Sequence, residues 1–240
     1  MIEFHGVSKT IMAGNAHRAL FKHLDFWMDK GERVAVLGIK GSGKSMLLEL
    51  ICGASQVDSG WIERTSTVSW PIPTGPFLIS TSSIATNLRF VARLYGVDPD
   101  KFVSEVCELA EIGSFVNYKL TDVPRFVKAQ LSFAVGLWFD FDIYLFDEKV
   151  MSTPPAFKRR AKQILNRRIQ GNGLLLATSL PAAAEEFCDT AFVIDGGRAE
   201  HYTDMKAALK HFNSLSKDMA LVSADEGPDT EEEEDDTIII

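Results

Sequence analysis

The strongest constraint on this chain is its glycine-rich segment Gly38–Ser45, which satisfies GxxxxGK[ST] between an apolar run at 34–37 and a helix-favouring stretch at 46–52. The glycines let the backbone curl so that consecutive N–H groups point inward at phosphate oxygens. Lys44 supplies a cation for the β- and γ-phosphates of a nucleotide, and the Ser45 hydroxyl can ligate Mg²⁺. A glycine-rich turn without a ligand is the alternative, which the full match and both flanks disfavour. The predicted nucleotide-binding residues are Gly38, Ile39, Lys40, Gly41, Ser42, Gly43, Lys44, Ser45 and Met46.

Two adjacent carboxylates follow a second apolar segment, Ile143–Phe146. Asp147 is predicted to hold Mg²⁺ through water, together with Ser45, and Glu148 is predicted to polarise the attacking water as the general base. An acidic pair after a strand is commonly only a solvated strand end, but its combination with a phosphate loop favours the functional interpretation. The sequence therefore predicts Glu148 as the catalytic residue and Ser45 with Asp147 as the metal-binding residues, with ATP and Mg²⁺ as cofactors.

Charge is distributed unevenly along the 240 residues, whose net charge is −8. Residues 225–240 hold nine carboxylates and no base, whereas residues 1–224 carry 25 basic and 24 acidic groups. A near-neutral body with an acidic tail argues against a dedicated nucleic-acid-binding protein, so no nucleic acid is expected as a partner. Three widely spaced cysteines indicate a reducing compartment. Because no run of about 18 apolar residues occurs, we expect this chain not to cross a membrane by itself.

Strand-like segments are predicted at 2–8, about 19–37, 68–71, 142–146, 174–178 and 190–195, and they alternate with helix-like segments, the last at about 204–215. This alternation predicts an α/β fold with a mainly parallel sheet. We predict a nucleotide-binding domain of this type that also contains an antiparallel β part and an inserted helical subdomain. The expected α/β core comprises residues 1–86 and 140–215, and the helical subdomain comprises residues 87–139. Residues 216–240 are expected to form an acidic, disordered tail.

These motifs together resemble the ATP-binding subunit of ABC transporters over about residues 2–213, and most narrowly the branch that exports capsular polysaccharide. The phosphate loop and the Asp147-Glu148 pair are specific to nucleotide hydrolases, whereas Ser69-Trp70-Pro71 and Phe139–Asp142 indicate the polysaccharide branch. Further segments that carry the resemblance are Val7-Ser8-Lys9, Gly31–Ala35, Val57–Gly60, Asn87–Tyr95 and Glu186–Asp189.

The resemblance implies a complex rather than an isolated enzyme. In this family two ATP-binding subunits sandwich two ATP molecules, and each site joins the phosphate loop of one subunit to the signature motif of the other. The implied partners are a separate transmembrane permease and a second ATP-binding subunit. The implied location is peripheral, on the cytoplasmic face of the inner membrane, and the implied process is export of a capsular or other surface polysaccharide.

The signature motif expected by this resemblance is replaced. The corresponding segment is 123–127, where the family has a serine and glycines. Pro124 provides neither a hydroxyl nor a backbone N–H. Arg125 and Phe126 are too bulky for close approach of the backbone to a γ-phosphate. Coordination of the partner's nucleotide is therefore expected to be lost.

Other family positions also depart from the pattern. Ser179 stands where a switch histidine is expected, and a hydroxyl cannot exchange a proton as an imidazole does. No glutamine occurs in residues 66–89, where the family carries one near Phe77–Ile79. The family's small-residue loop with its aspartate is replaced by 151–154, and the expected adenine-stacking aromatic is replaced at its two candidate positions, Ile11 and Ala19.

The groups that hold phosphate and Mg²⁺ within one subunit are thus present, whereas those that complete the partner's site are absent. This pattern predicts a partly degenerate subunit paired with a competent ATP-binding subunit; a heterodimer is favoured and a homodimer is possible. A nucleotide-binding subunit that never hydrolyses ATP is the first alternative, opposed by Glu148 and favoured by Pro124 and Ser179. A soluble ABC-type protein of DNA repair or translation is the second.

Overall fold

The computed structural model describes residues 1–14, 16–73, 78–147 and 155–225, and within them the chain forms two β-sheets and several helices. The five-stranded sheet has the order β5-β6-β3-β7-β8, in which only β8 is antiparallel to its neighbour. The three-stranded sheet, β2-β1-β4, is antiparallel. The predicted combination of a mainly parallel sheet and an antiparallel part is confirmed. The strands are β1 Ile2–Ala13, β2 Ala16–Met28, β3 Arg33–Leu37, β4 Ser59–Arg64, β5 Ile143–Asp147, β6 Gly173–Thr178, β7 Thr190–Asp195 and β8 Arg198–Tyr202.

The α-helices are α1 Lys44–Cys52, α2 Ile84–Leu94, α3 Pro99–Ala110, α4 Arg125–Trp138, α5 Pro155–Arg168, α6 Pro181–Phe187 and α7 Met205–Asp225. Short 3₁₀ turns at Gly113–Phe115 and Leu120–Asp122 lie between α3 and α4. None of the helices in the described ranges has both the length and the apolar character needed to span a bilayer.

The central strands are apolar over most of their length, as expected where both faces of a parallel sheet are covered. All six residues of β6 are buried, as are four of the five in β3 and in β5. Parallel pairing places the carboxyl ends of β3, β5 and β6 at one edge, where side chains after the strands can converge.

Aromatic residues join the antiparallel sheet to the parallel one. The ring of Phe26 on β2 lies 5.6 Å from that of Phe4 on β1 and 4.6 Å from that of Phe192 on β7, measured between centroids. All three rings are at most 1% exposed. Burial of such rings contributes about 1.5–3 kcal/mol each, so this cluster fixes the antiparallel sheet beside the phosphate loop.

The chain divides into two compact units. The first holds both sheets and contains, of the described residues, those within 1–71, 141–147 and 169–225. The second is helical and contains those within 72–140 together with 155–168. It thus includes α5 and begins before residue 87, where the predicted helical subdomain starts.

Two predicted elements end differently in the structure. The strand-like region predicted over about 19–37 is two strands in different sheets, because a turn at 29–32 with Gly31 at φ +88° separates them. Helix α7 continues to Asp225 rather than to about 215, since its sequence contains no glycine or proline before 227. Part of the predicted disordered tail is therefore helical, and residues 226–240 lie outside the described ranges.

Candidate nucleotide-binding site

The segment Gly38–Ser45 leaves the end of β3 and enters α1, and two of its glycines adopt left-handed backbone conformations. Gly41 has φ +79° and Gly43 has φ +105°, angles that residues with a Cβ rarely adopt. A Cβ on Gly43 would also lie 2.9 Å from ring atoms of Phe21. Both features explain why the curled loop requires glycine at these positions.

Gly38 is required for a different reason. A Cβ at this position would lie 2.3 Å from Oγ of Ser42, whose hydroxyl is buried without a hydrogen-bond partner. The loop thus folds back upon itself over Gly38. Of the other predicted loop residues, Ile39 is half-buried, Lys40 is exposed, and Met46 packs against the hydrophobic core.

Helix α1 begins at Lys44 with Gly43 as its N-cap, and no side chain caps it. Its first turn contains no acidic residue. The uncapped N–H groups and the positive end of the helix dipole therefore favour an anion at this end. This arrangement matches the requirement of a nucleotide phosphate.

Lys44 is only 9% exposed, and its ammonium group is held by acceptors around the loop. Nζ donates to the carbonyl oxygen of Gly38 at 2.6 Å and to that of Ile39 at 3.1 Å. It also donates to Oγ of Ser179 at 2.9 Å. A buried ammonium requires such partners, and an incoming phosphate would offer it stronger, charged ones.

The two predicted metal-binding residues lie together although they are 102 positions apart in sequence. The Ser45 hydroxyl donates to Oδ2 of Asp147, at the end of β5, over 3.1 Å. Two oxygen ligands this close together suit Mg²⁺, which is usually coordinated by one or two protein oxygens together with water molecules and phosphate oxygens. Ser45 and Asp147 would therefore hold the ion and so bring it to the nucleotide's phosphates.

Several predicted functional positions lie outside the described residues. These are Glu148, Phe77 and the segment 151–154. The role of Glu148 as general base stays a prediction that rests on its position directly after Asp147.

Arg18, on β2, was not predicted as a site residue. Its Nη2 donates to the carbonyl oxygen of Gly41 over 3.4 Å, so a guanidinium lies beside the phosphate loop. In the hairpin register Arg18 is opposite Ile11, and the exposed Ala19 is opposite Thr10. No local motif indicates this arginine, because its approach to the loop depends on how the β1–β2 hairpin folds over it.

In the helical unit, the segment that is predicted to replace the signature motif lies at the start of α4. Pro124 is the N-cap of the helix and provides no side-chain hydrogen bond, while Arg125 is its first residue. Phe126 is 43% exposed. The segment thus presents a helix N-terminus whose cap residue has no hydroxyl.

Thiol chemistry is disfavoured throughout the described residues. Burial raises the pKa of Cys52, of Cys107 and of Cys188. These thiols therefore stay protonated near neutral pH and are poor nucleophiles.

Comparison with known proteins agrees with this geometry. Residues 21–168 match the sequence family described as ABC transporter. The chain is 33% identical over 218 residues to "ATP-binding protein BexA" of Haemophilus influenzae, an alignment covering 90% of this chain and 100% of that protein. It is also 33% identical over 216 residues to "Capsule polysaccharide export ATP-binding protein CtrD" of Neisseria meningitidis serogroup B, with 90% and 100% covered.

The fold has counterparts of known structure. The dimeric post-hydrolysis structure of the ATP-binding cassette MJ0796 bound to ADP and Pi superposes with a TM-score of 0.73 at 17% identity, covering 85% of this chain and 99% of that one. The fold is therefore that of an ABC ATPase cassette. On its phosphate loop, its fold and these sequence matches, the chain belongs to the ABC transporter family.

Proposed function

We propose that this chain is the ATP-binding subunit of an ABC transporter that exports a capsular or other surface polysaccharide through a separate transmembrane permease. The observation that carries the proposal is the convergence of Lys44, Ser45 and Asp147 at one edge of the sheet. The similarity to the capsule polysaccharide export protein CtrD supports the nature of the cargo. The expected location is peripheral, on the cytoplasmic face of the inner membrane.

ATP binding requires each part of the described site. Backbone N–H groups of the loop and of the first turn of α1 receive phosphate oxygens, and Lys44 neutralises charge on the β- and γ-phosphates. Ser45 and Asp147 hold Mg²⁺, which would neutralise charge on the phosphates when bound. Glu148, next in sequence to Asp147, orients and deprotonates the attacking water.

The chain provides one half of a composite site. Its phosphate loop needs a signature motif from a partner subunit, while its own segment at Pro124 offers neither a hydroxyl nor a glycine there. We infer that the partner is a second, competent ATP-binding subunit. A homodimer would contain two sites that each lack the signature serine, so a heterodimer is favoured.

A non-hydrolysing, structural or regulatory subunit is the second candidate. Pro124 and Ser179 favour this candidate, because at both positions the resemblance leads us to expect a different residue that contacts the γ-phosphate. The retained sequence Asp147-Glu148 favours hydrolysis.

Purification of the full-length tagged chain from its native membrane tests the composite arrangement. We expect a permease and a second ATP-binding polypeptide, with a serine-glycine signature, to co-purify in stoichiometric amounts. A Lys44→Ala chain, which should assemble without binding nucleotide, is the control for nucleotide-dependent association. An active complex in which this chain is the single kind of ATP-binding subunit would contradict the heterodimer.

A further inference from the structure

Ser179 leaves the central sheet beside the phosphate loop. Thr178, the last residue of β6, is the register partner of Leu37 at the end of β3. The next residues along the two strands are Ser179 and Gly38, and the Ser179 hydroxyl donates to the Gly38 carbonyl oxygen over 3.1 Å. The same hydroxyl oxygen accepts from Nζ of Lys44 at 2.9 Å.

The backbone around Ser179 is held firmly. Thr178 is 1% exposed, and its hydroxyl accepts from the N–H of Leu180 at 2.9 Å. Pro181 then starts helix α6. The position of the Ser179 hydroxyl next to the loop is thus fixed by the buried end of β6, by the turn that the Thr178 hydroxyl stabilises, and by the start of α6 at Pro181.

We propose that Ser179 is a positioning residue that holds the Lys44 ammonium group against the carbonyl oxygens of the phosphate loop. The inference rests on the proposed nucleotide site and adds a role for a residue outside its binding motifs. An ammonium has three N–H donors, so Lys44 must exchange at least one of its contacts with Gly38, Ile39 and Ser179 to reach a phosphate. Ser179 therefore stabilises the state that competes with nucleotide binding.

The consequence is a defined change in affinity. Removing the hydroxyl weakens the resting position of Lys44 and does not remove any contact to phosphate. Ser179→Ala should therefore bind nucleotide more tightly, by about three- to tenfold, as expected for one hydrogen bond. Because Lys44 contacts the β-phosphate in both nucleotides, the gain should be the same for ADP and ATP.

Calorimetric titration of the purified full-length chain tests this role, with MgADP and with a non-hydrolysable MgATP analogue. Ser179→Ala and Ser179→Gly should both tighten binding of both probes, and Ser179→Thr should restore the wild-type affinity because it keeps the hydroxyl. Ser104→Ala, on an exposed face of α3, is the control and should not change affinity. Thermal unfolding of each variant checks that the fold is retained.

Three results would overturn the inference. Weaker binding of the ATP analogue alone would mean that Ser179 contacts the γ-phosphate instead of restraining Lys44. Unchanged affinity in Ser179→Ala and Ser179→Gly would mean that the hydroxyl has no influence on Lys44. If the wild-type chain binds neither probe, the proposed nucleotide site itself is wrong. That result differs from the first two, which would overturn only the role of Ser179.

Discussion

At the scale of single residues, the site depends on a few side chains and one glycine, each of which has a specific position beside the phosphate loop. Lys44 is nine-tenths buried but hydrogen-bonded, and Ser45 lies within 3.1 Å of the Asp147 carboxylate. Gly43 has a positive φ, and a Cβ there would lie 2.9 Å from the Phe21 ring. This residue therefore contributes space and backbone freedom, whereas the other residues contribute charge and oxygen atoms. Each of these residues therefore has a distinct, testable consequence.

Ser45→Ala should weaken the binding of nucleotide only when Mg²⁺ is present. The substitution removes one oxygen ligand, and loss of groups around a metal typically lowers metal affinity by tenfold or more. We expect the magnesium-dependent gain in ATP affinity to fall by at least about tenfold, measured by titration with and without EDTA. Ser45→Thr keeps the hydroxyl and should behave as wild type. An equal loss in EDTA would show that the serine supports the loop rather than the ion.

At the scale of elements, the start of β5 is fixed by a hydrogen-bond network around Asp142. Asp142 accepts from Nζ of Lys30 and from both the N–H and the hydroxyl of Thr67, the last two at 2.8 and 2.9 Å. These interactions, that with Lys30 foremost, lower the pKa of Asp142 to about 2. The network ties the start of β5 to the segment that follows β4 and to the turn that precedes β3.

Asp142→Asn should destabilise the fold at neutral pH by about 1 kcal/mol, because the charged acceptor is lost. The folded pKa is lowered, so the stabilisation is present above the ordinary carboxyl pKa and is lost as pH falls from about 4 through about 2. Urea unfolding at several pH values measures the free energy of unfolding of variant and wild type. The difference between the two free energies should therefore become smaller below about pH 4. Asp195→Asn, at the exposed end of β7, is the control and should cost less. A difference in the free energy of unfolding that does not change with pH would contradict the assignment of the stabilisation to the charged Asp142 carboxylate.

Elements with a strong local pattern were predictable, and those set by distant contacts were not. The apolar runs of β5 and β6 and the Asp98-Pro99 start of α3 carry their own signals, the last because Asp98 caps the helix through the N–H of Lys101. The predicted strand at 68–71 is instead a single bridge from Val68 to Ile143, since Pro71 has no N–H to extend the pairing.

The same distinction applies within the site. The loop and Asp147 could be recognised because spacing along the chain defines them. By contrast, the contact of Arg18 with Gly41 and that of Ser179 with Lys44 join residues 23 and 135 positions apart. No spacing pattern in the sequence predicts contacts between residues so far apart, so they are seen only in the folded structure.

At the scale of the whole molecule, we propose that this chain binds ATP and Mg²⁺ through its own phosphate loop and does not complete the site of a neighbouring subunit. The phosphate loop contains the predicted glycines and lysine, and its Ser45 is hydrogen-bonded to Asp147, the other predicted metal ligand, whereas Pro124 caps α4 without a hydroxyl. Such asymmetry makes sense in a complex in which hydrolysis occurs at one composite site. The central claim is that this chain supplies the hydrolytic half of that site.

ATP turnover of the complex purified from its native membrane tests that claim most directly, comparing wild type with Glu148→Gln. Loss of a general base should lower turnover by about a hundredfold or more, while the complex still assembles. Glu185→Gln, exposed on α6, is the control and should leave turnover unchanged. Turnover that Glu148→Gln does not alter would contradict the account and make this chain the silent, nucleotide-binding half of the transporter.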